Sequence, residues 1–327
     1  MVEGRDKNSK FFHCVANGRR RSNHISEISF NGVKITDPPQ VRNGVFLFFK
    51  DHFKNVRWSR PKIRSLGLKQ IFEEEIKSLE VVFSKEEVSA VVYCCDGDKA
   101  IDPDGLNLRF IKANWENIQE DFLKFILEFH GNRDIVKDLN NTFITLIPKC
   151  FNPEIIKDFK PISLVGSMYK IFAEVLANRQ IIDSFVIAEE IIHTWRKSKE
   201  MTPLVKLDFE KAYDSVDHSF LDSTLEDMRF SLKWRQWVKS CISSPSLSVL
   251  VNGCPTDQFL MERGLRQGDP VLPFLFNIVV ECLSCLFKKA QELNLVRGVS
   301  FGNAEVHISH LQFADDTILL LKQKWST

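Results

Sequence analysis

A chain of 327 residues, 44% hydrophobic and 27% charged, is long enough to form one large domain or two around a buried core. Its formal net charge is only +1, so any affinity for nucleic acid must come from local clusters of Lys and Arg. No apolar run approaches transmembrane length and residues 1–6 do not resemble a signal peptide, so we expect an intracellular protein of the nucleus or cytoplasm, not a secreted or membrane protein.

The N-terminal region predicts helices and one small hairpin. Residues 9–23 have a helical pattern, and Arg19, Arg20 and Arg21 near its end are candidates for contacts with phosphates. A solvated helix end whose cations suit the helix dipole is the alternative interpretation. Two turn signals follow. Asn31-Gly32 between short apolar runs predicts a β-hairpin with a type I′ turn, and Asp37-Pro38 predicts the start of a helix.

The next region predicts two further helices separated by an acidic loop. Ser84 to Glu87 forms a capping box, which marks a helix start. Residues 96–105 contain four Asp and several turn residues, a composition that suits calcium but lacks the spacing and terminal Glu of an EF-hand. A long amphipathic helix follows, with Trp115, Phe122 and Phe129 on its apolar face.

A strand over Thr142 to Ile147, ended by Pro148, is the first element with a candidate ligand site. Lys149 and Lys160 lie on either side of a predicted turn, where two cations suit a triphosphate, although surface lysines are common. Helical patterns over residues 169–179 and 181–195 come next.

Asp208 stands at the end of a short apolar strand that begins at Leu204. Alone it reads as a turn or cap residue, but it can share a metal with other carboxylates of the same sheet. Asn252-Gly253 then predicts a second hairpin with a type I′ turn. In residues 263–270, two glycines flank Gln267 before a long helix, and such glycines permit close approach of a backbone or ligand.

Asp315 and Asp316 form an acidic pair between two apolar runs, residues 310–313 and 318–321. The pattern predicts two short strands with the pair at their turn. Adjacent carboxylates repel each other unless a cation neutralises them, so a divalent metal is the natural explanation. Mg²⁺ binds a few carboxylates and fills its other positions with water and phosphate oxygens, and Asp208 offers the third carboxylate.

A zinc site is the competing interpretation in the same region. Cys282 and Cys285 with His307 and His310 imitate two Cys and two His ligands. The Cys pair lies inside a predicted apolar helix, however, and the His spacing is shorter than usual for zinc. We therefore expect both cysteines to be buried thiols.

Five motifs in order resemble the reverse transcriptase of LINE-type non-LTR retrotransposons, with the plant branch as the nearest match. They are Ile147-Pro148-Lys149, residues 159–164, Asp208 to Asp214, Gly264 to Pro270, and Phe313 to Asp316. The resemblance also includes residues 6–13 and 95–105, so it covers nearly the whole chain. Another palm-type nucleotidyl transferase, such as a cyclase, suits the carboxylates but leaves the Gly264 to Pro270 loop unexplained.

The resemblance implies an α+β right-hand polymerase. Residues 131–327 would form the fingers and a partial palm, an antiparallel sheet with packed helices, and residues 1–130 a mostly helical N-terminal extension. The implied activity is RNA-directed DNA synthesis from an RNA template, a DNA primer and deoxynucleotides.

The resemblance also assigns roles to individual residues. Asp208, Asp315 and Asp316 would be catalytic and would hold two Mg²⁺. The implied substrate-binding residues are Lys149, Lys160, Phe209, Tyr213, Gln267 and Gly268, with Tyr213 against the sugar and the two lysines on the triphosphate. Arg19, Arg20, Arg21 and Arg266 would contact nucleic acid.

The chain also departs from this family. Lys160 replaces the usual Arg, which keeps the charge but loses the bidentate fork. Residues 177–179 run directly into Gln180, where relatives carry a further template-binding stretch, so we expect an internal deletion. From the end at Thr327 and the absence of a matching N-terminal stretch, we expect a truncated copy without the thumb and the N-terminal endonuclease of the family. A catalytically inactive retroelement remnant that at most binds nucleic acid is therefore the alternative function.

Overall fold

A computed structural model describes residues 17–18, 22–30, 32–55, 66–97, 102, 104–179, 204–209, 211–296, 299–301, 306–313 and 316–320. For Asp208 and Asp316 it describes the backbone alone. Arg19, Arg20, Arg21, Asp315 and the helical pattern predicted over residues 181–195 lie outside these ranges.

The described part of the N-terminal region contains a hairpin followed by helices. Strands β1 (Ile28–Phe30) and β2 (Val33–Ile35) pair antiparallel, with Phe30 opposite Val33 and Gly32 at positive φ in the turn. The Asp37 side chain caps a helix, as predicted, by accepting from the backbone N–H of Gln40. The helices are α1 (Pro38–His52), α2 (Glu73–Glu80), α3 (Lys85–Cys94), α4 (Leu108–Ala113) and α5 (Trp115–Asn132).

Two of these helices confirm the sequence patterns that predicted them. Ser84 and Glu87 make both hydrogen bonds of the capping box at the start of α3. The apolar face of α5 is buried through Trp115, Phe122 and Phe129, and Phe129 packs edge-on against Phe172 with ring centroids 4.6 Å apart.

The larger sheet joins the predicted fingers region to later segments of the chain. Its strands are β3 (Thr142–Pro148), β4 (Phe159–Val165), β6 (Ser246–Val251), β7 (Cys254–Pro255) and β8 (Phe259–Leu260). β3 pairs antiparallel with β4 and parallel with β6, which pairs antiparallel with β7 and β8. Asn252 and Gly253 both adopt positive φ in the turn between β6 and β7, as the predicted type I′ turn requires.

A smaller sheet contains the acidic residues that organise the predicted site. It places β12 (Asp316–Leu320) between β11 (His310–Phe313) and β5 (Leu204–Asp208), with both pairings antiparallel. β9 (Val299–Phe301) and β10 (Val306–Ile308) form a separate antiparallel pair.

Four more α-helices and a short 3₁₀ helix, Ile156–Asp158, belong to the described architecture. The α-helices are α6 (Ser167–Asn178), α7 (His218–Asp227), α8 (Leu232–Ser243) and α9 (Leu272–Glu292). Helices and mostly antiparallel sheets agree with the predicted α+β class. Among the described residues, no helix is both long enough and apolar enough to cross a bilayer.

Two apolar clusters hold these elements together. One lies between α1 and the larger sheet and includes Val45, Phe49, Ile144 and Val249. The other lies among α2 to α9, where aromatic side chains such as Trp237 are fully buried. Both clusters contain residues from before and after position 130, so the N-terminal segment contributes directly to the core.

The acidic loop before α4 anchors the start of α6. Asp104 Oδ2 accepts from the backbone N–H of Ser167 at 2.6 Å, and Asp102 Oδ2 accepts from the Ser167 hydroxyl at 2.7 Å. Asp102 also forms an ion pair with Lys170. These contacts give two of the four loop carboxylates a structural role, because Asp104 satisfies an orphan backbone donor at the helix N-terminus and Asp102 holds two side chains of its first turn.

Candidate active site

The smaller sheet places Asp208 directly opposite Asp316. Asp208 is the last residue of β5 and Asp316 is the first of β12, and their Cα atoms are register partners. Partners across antiparallel strands have Cα atoms roughly 4.5 to 5.5 Å apart, so residues this close can share one ion. β11 ends at Phe313, which pairs with Asp316 and confirms a hairpin with two intervening residues.

A cavity of about 410 Å³ lies where the chain continues from Asp208. It brings together five of the six residues predicted to bind substrate: Lys160, Phe209, Tyr213, Gln267 and Gly268. It is also lined by Lys211, Ala212, Asp214 and Leu272. Because Phe209 directly follows the last residue of β5, the cavity is continuous along the chain with the paired aspartates.

Lys149, the sixth predicted residue, lies elsewhere on the hairpin of β3 and β4. Its side chain is exposed, and Nζ donates to the carbonyl oxygen of Lys157 at 3.1 Å. Its backbone N–H donates to Asp158, whose carboxyl pKa is lowered by hydrogen bonds from the backbone of Ile155 and Glu154. Lys149 therefore sits at the loop end of the hairpin, where β3 turns towards β4, whereas Lys160 lines the cavity.

The loop from Gly264 to Asp269 is shaped by its two glycines. Gly264 has φ +89° and Gly268 has φ +93°, a region that favours glycine. A Cβ at Gly264 would lie 2.7 Å from the carbonyl oxygen of Asp214, so a side chain there would collide with backbone. The predicted close approach is thus confirmed for Gly264, and the loop packs tightly against the segment after β5.

Arg266, predicted to contact nucleic acid, lies instead in the interior at 5% exposure. Its guanidinium donates to Asn140 and to Thr142 Oγ1, pairs with Asp269, and lies over the Tyr169 ring at 4.5 Å. These contacts occupy the donors that a phosphate would need. Arg266 therefore anchors the base of the loop while Gln267 and Gly268 face the cavity.

The hydroxyl of Tyr169 completes this buried group. It donates to Asp269 Oδ2 at 3.1 Å, and desolvation by burial raises the pKa of Tyr169 well above its ordinary value. The phenol therefore stays neutral and serves as a donor. Asp269 also accepts from the backbone N–H of Val271, which fixes the turn before α9.

The two cysteines of the zinc interpretation are buried in α9. Cys282 and Cys285 are 2% and 7% exposed, and desolvation by burial raises the pKa of both thiols, which disfavours the thiolate that zinc requires. His310 stacks on Phe287 with Nε2 3.0 Å from Ser284 Oγ. Among the side chains that the structure describes, no group of three Asp, Glu, His or Cys residues could hold a metal ion. The side chains of Asp208, Asp315 and Asp316 do not belong to this described set.

Three residues in or beside the cavity lining were not predicted as functional from the sequence. Lys211 and Asp214 line the cavity, and His52, the last residue of α1, reaches Asp214 with Nε2 3.1 Å from Oδ2. Lys211 and Asp214 were accessible to prediction, because they belong to the Asp208 to Asp214 motif. His52 had no comparable signal, since its partner lies 162 residues away.

Comparison with known proteins agrees with this arrangement. The reverse transcriptase (RNA-dependent DNA polymerase) family profile matches residues 147–326, more than half of the chain. The match covers both strands of the paired aspartates and every residue that lines the cavity. A fold of fingers and palm is what this family implies for the region, and the family generally uses divalent metal ions and acts on nucleic acid with nucleotide substrates.

Two of the similar proteins come from mobile elements, and a third is an uncharacterized mitochondrial protein. The transposon TX1 uncharacterized 149 kDa protein of Xenopus laevis is 24% identical over 338 residues, covering 96% of this chain and 26% of the relative. The Pol polyprotein from retrotransposable element R2 of Popillia japonica is 28% identical over 195 residues, covering 54% and 27%. The uncharacterized mitochondrial protein AtMg01250 of Arabidopsis thaliana is 45% identical over 71 residues, covering 22% and 58%.

The chain spans about a quarter of the length of the TX1 and R2 relatives. The family match nevertheless covers the paired aspartates and the whole lining of the cavity. The chain belongs to the reverse transcriptase (RNA-dependent DNA polymerase) family, in the branch of the non-LTR retrotransposons.

Proposed function

We propose that this chain is an RNA-directed DNA polymerase that extends a DNA primer on an RNA template. The observation that carries the proposal is the register of Asp208 against Asp316, next to a cavity lined by Lys160, Tyr213 and Gln267. Carboxylates from two neighbouring strands beside a cavity with cations suit a nucleoside triphosphate and its metal ions.

Asp208, Asp315 and Asp316 are the proposed ligands of two Mg²⁺. The donor set fits, because Mg²⁺ prefers carboxylate oxygens and keeps positions for water and phosphate, and the register brings two of the three residues together. When bound, the ions would supply the positive charge that activates the primer 3′-hydroxyl and stabilises the leaving pyrophosphate. The residues of the chain mainly hold the reactants in line.

The residues of the cavity would orient the incoming deoxynucleotide. Lys160 would offer its ammonium to the triphosphate, and Lys149, at the loop end of the same hairpin, would meet phosphates from outside the cavity. Tyr213 packs on Phe276 with ring centroids 4.5 Å apart, a support that would hold its ring against the sugar and exclude a 2′-hydroxyl. Phe209, Gln267 and Gly268 would contact the nucleotide and the template base.

The phosphates of the template or primer would contact Arg19, Arg20 and Arg21. The formal net charge of the whole chain is only +1, and these three adjacent cations supply a local positive charge. Arg266 has no part in this proposal because its guanidinium is buried and engaged. The division into an N-terminal extension over residues 1–130 and a polymerase over 131–327, and a location in the nucleus or cytoplasm, stay predictions.

We also propose that this chain has a plant lineage and an internal deletion. The 45% identity with the Arabidopsis protein over 71 residues supports the plant branch. The alignment with the Xenopus protein is 338 residues long, which exceeds this chain of 327 residues. That relative therefore has residues without counterparts here, which supports a deletion such as the one proposed after Arg179.

Primer extension tests this function. The chain is incubated with an oligo(dT) primer on an RNA template, deoxynucleotide and Mg²⁺, beside an Asp315→Ala variant and an Asp257→Ala surface control. We expect extension by the chain and by Asp257→Ala, and none by Asp315→Ala. Absence of extension at every enzyme concentration would overturn the proposal and favour the inactive remnant that binds nucleic acid.

A further inference from the structure

His52 connects the N-terminal region to the wall of the nucleotide cavity. It is the last residue of α1, and its side chain is 9% exposed between the rings of Phe48 and Phe53. The family match begins only at residue 147, so His52 lies well outside the matched region. Its ring is nevertheless directed at the cavity-lining segment after β5.

Both ring nitrogens of His52 contact charged residues of the cavity. Nε2 lies 3.1 Å from Asp214 Oδ2, and Nδ1 lies 3.4 Å from Lys211 Nζ. An ammonium group can only donate, so Nδ1 must accept from Lys211. The ring proton then belongs to Nε2, which donates to the carboxylate. In this arrangement a neutral imidazole separates the cation from the anion.

The end of α1 is also fixed by its backbone. The Arg263 guanidinium donates to the carbonyl oxygen of His52 from Nε at 2.9 Å and from Nη2 at 2.6 Å. The backbone N–H of Glu262 donates to the carbonyl oxygen of Phe53 at 3.0 Å. Residues 262 and 263 lead into the Gly264 to Asp269 loop, so one helix end holds both walls of the cavity.

We propose that His52 is a positioning residue for nucleotide binding, an inference that rests on the proposed polymerase function. Lys211 and Asp214 are three residues apart and carry opposite charges. Without an imidazole between them, their side chains can pair directly and neutralise the Lys211 cation. His52 keeps them apart, so that the Lys211 ammonium faces the cavity and meets the triphosphate of the incoming deoxynucleotide.

Two substitutions separate positioning from packing. His52→Phe keeps an aromatic ring among Phe48 and Phe53 but cannot accept from Lys211 or donate to Asp214. His52→Gln loses the ring but retains an amide that can donate to Asp214 and accept from Lys211. The measurements are KM and kcat for dTTP on an oligo(dT) primer and poly(rA) template, and the Kd of dTTP with Mg²⁺ and primer–template.

We expect His52→Phe to raise both KM and Kd about tenfold, the loss expected for one charge-assisted contact, with kcat changed less than twofold. We expect His52→Gln to stay within about threefold of the unsubstituted chain. A merely structural role would instead lower Tm and the active fraction in both variants, without a selective change in dTTP affinity.

His130→Phe is the matched control. His130 also packs against aromatic rings, Phe83 and Trp237, and contacts a lysine, Lys233, but does not line the cavity. If His52→Phe and the unsubstituted chain bound dTTP with equal affinity, the inference about His52 would be overturned and the polymerase proposal would stand. An unsubstituted chain that neither extends the primer nor binds dTTP would overturn the polymerase proposal and this inference with it.

Discussion

Asp208 and Asp316 are direct register partners across the antiparallel strands β5 and β12. The two residues are far apart in sequence, and the smaller sheet brings them together at the end where Phe209 leads into the cavity. The segment that begins at Asp208 therefore supplies both a proposed metal ligand and residues that line the proposed substrate cavity, the first of which is Phe209. The loop from Gly264 to Asp269 packs against this segment, and the buried group around Arg266 supports the loop.

Tyr213 should control the choice of sugar. Tyr213→Val removes the ring that we place against the 2′ position, so ribonucleotides should be accepted more readily. We expect discrimination against UTP relative to dTTP, measured as a ratio of kcat/KM values, to fall roughly 100-fold. Tyr93→Val, at an exposed tyrosine of α3, is the control and should leave the ratio unchanged. Unchanged discrimination in Tyr213→Val would remove the sugar role.

Gly264 should be intolerant of any side chain. A Cβ there would lie 2.7 Å from Asp214 backbone, and φ is +89°, so Gly264→Ala combines a collision with an unfavourable dihedral. We expect a loss of about 1–3 kcal/mol in the free energy of unfolding, measured with urea. Gly131→Ala is the control, since that helical glycine has no neighbour within 4 Å and alanine favours helices. Equal stabilities of the two variants would contradict the observed packing.

Arg266 should matter for folding and not for contact with phosphates. Arg266→Ala leaves Asp269 as an unpaired buried charge, and we expect a loss of about 3–5 kcal/mol in the free energy of unfolding. Arg42→Ala, at an exposed position of α1, should cost much less. If Arg266 instead bound nucleic acid, its removal would leave stability intact and reduce the salt dependence of RNA binding.

Stability should fall as the solution becomes mildly acidic. Desolvation by burial lowers the pKa of His218 below 6.5, although its hydrogen bond to the carbonyl oxygen of Gly264 acts in the opposite direction. Burial also lowers the pKa of His310. As the pH decreases, the two histidines therefore bind protons in the unfolded chain before they do so in the folded chain. Their contribution to the free energy of unfolding is complete above about pH 6.5 and is lost as the pH decreases below that value.

The measurement is urea unfolding at pH 7.5, 6.5 and 5.5. Each histidine can contribute a slope of at most about 1.4 kcal/mol per pH unit. His218→Gln keeps a hydrogen-bond donor but cannot titrate, and it should show a shallower decline than the unsubstituted chain. Parallel pH profiles for the two proteins would show that His218 does not contribute.

Local features of the fold were predictable because local chemistry decides them. Asn252-Gly253 specifies a turn with two positive φ values, and Asp37 with Pro38 specifies a helix start, whatever lies nearby. The glycines of the loop after Arg263 were informative for the same reason, since few other residues adopt their backbone conformation. The cavity residues followed from a resemblance of motifs.

Contacts between distant segments were not predictable in this way. Arg266 in a glycine-rich loop looks like a surface cation, and its burial depends on Asn140 and Thr142, more than 100 residues earlier. The parallel pairing of β3 with β6 and the contact of His52 with Asp214 likewise depend on tertiary arrangement. No periodicity or turn signal encodes which helix end meets which loop.

The most direct test of the central claim is the rate of single-nucleotide incorporation on an RNA template with Mg²⁺, compared between the unsubstituted chain and Asp208→Asn. The substitution keeps the size of the side chain but removes the charge that we propose binds metal. We expect a loss of at least about 1,000-fold in rate with primer–template affinity preserved. Incorporation by Asp208→Asn at the unsubstituted rate would contradict the assignment of these paired aspartates as the polymerase centre.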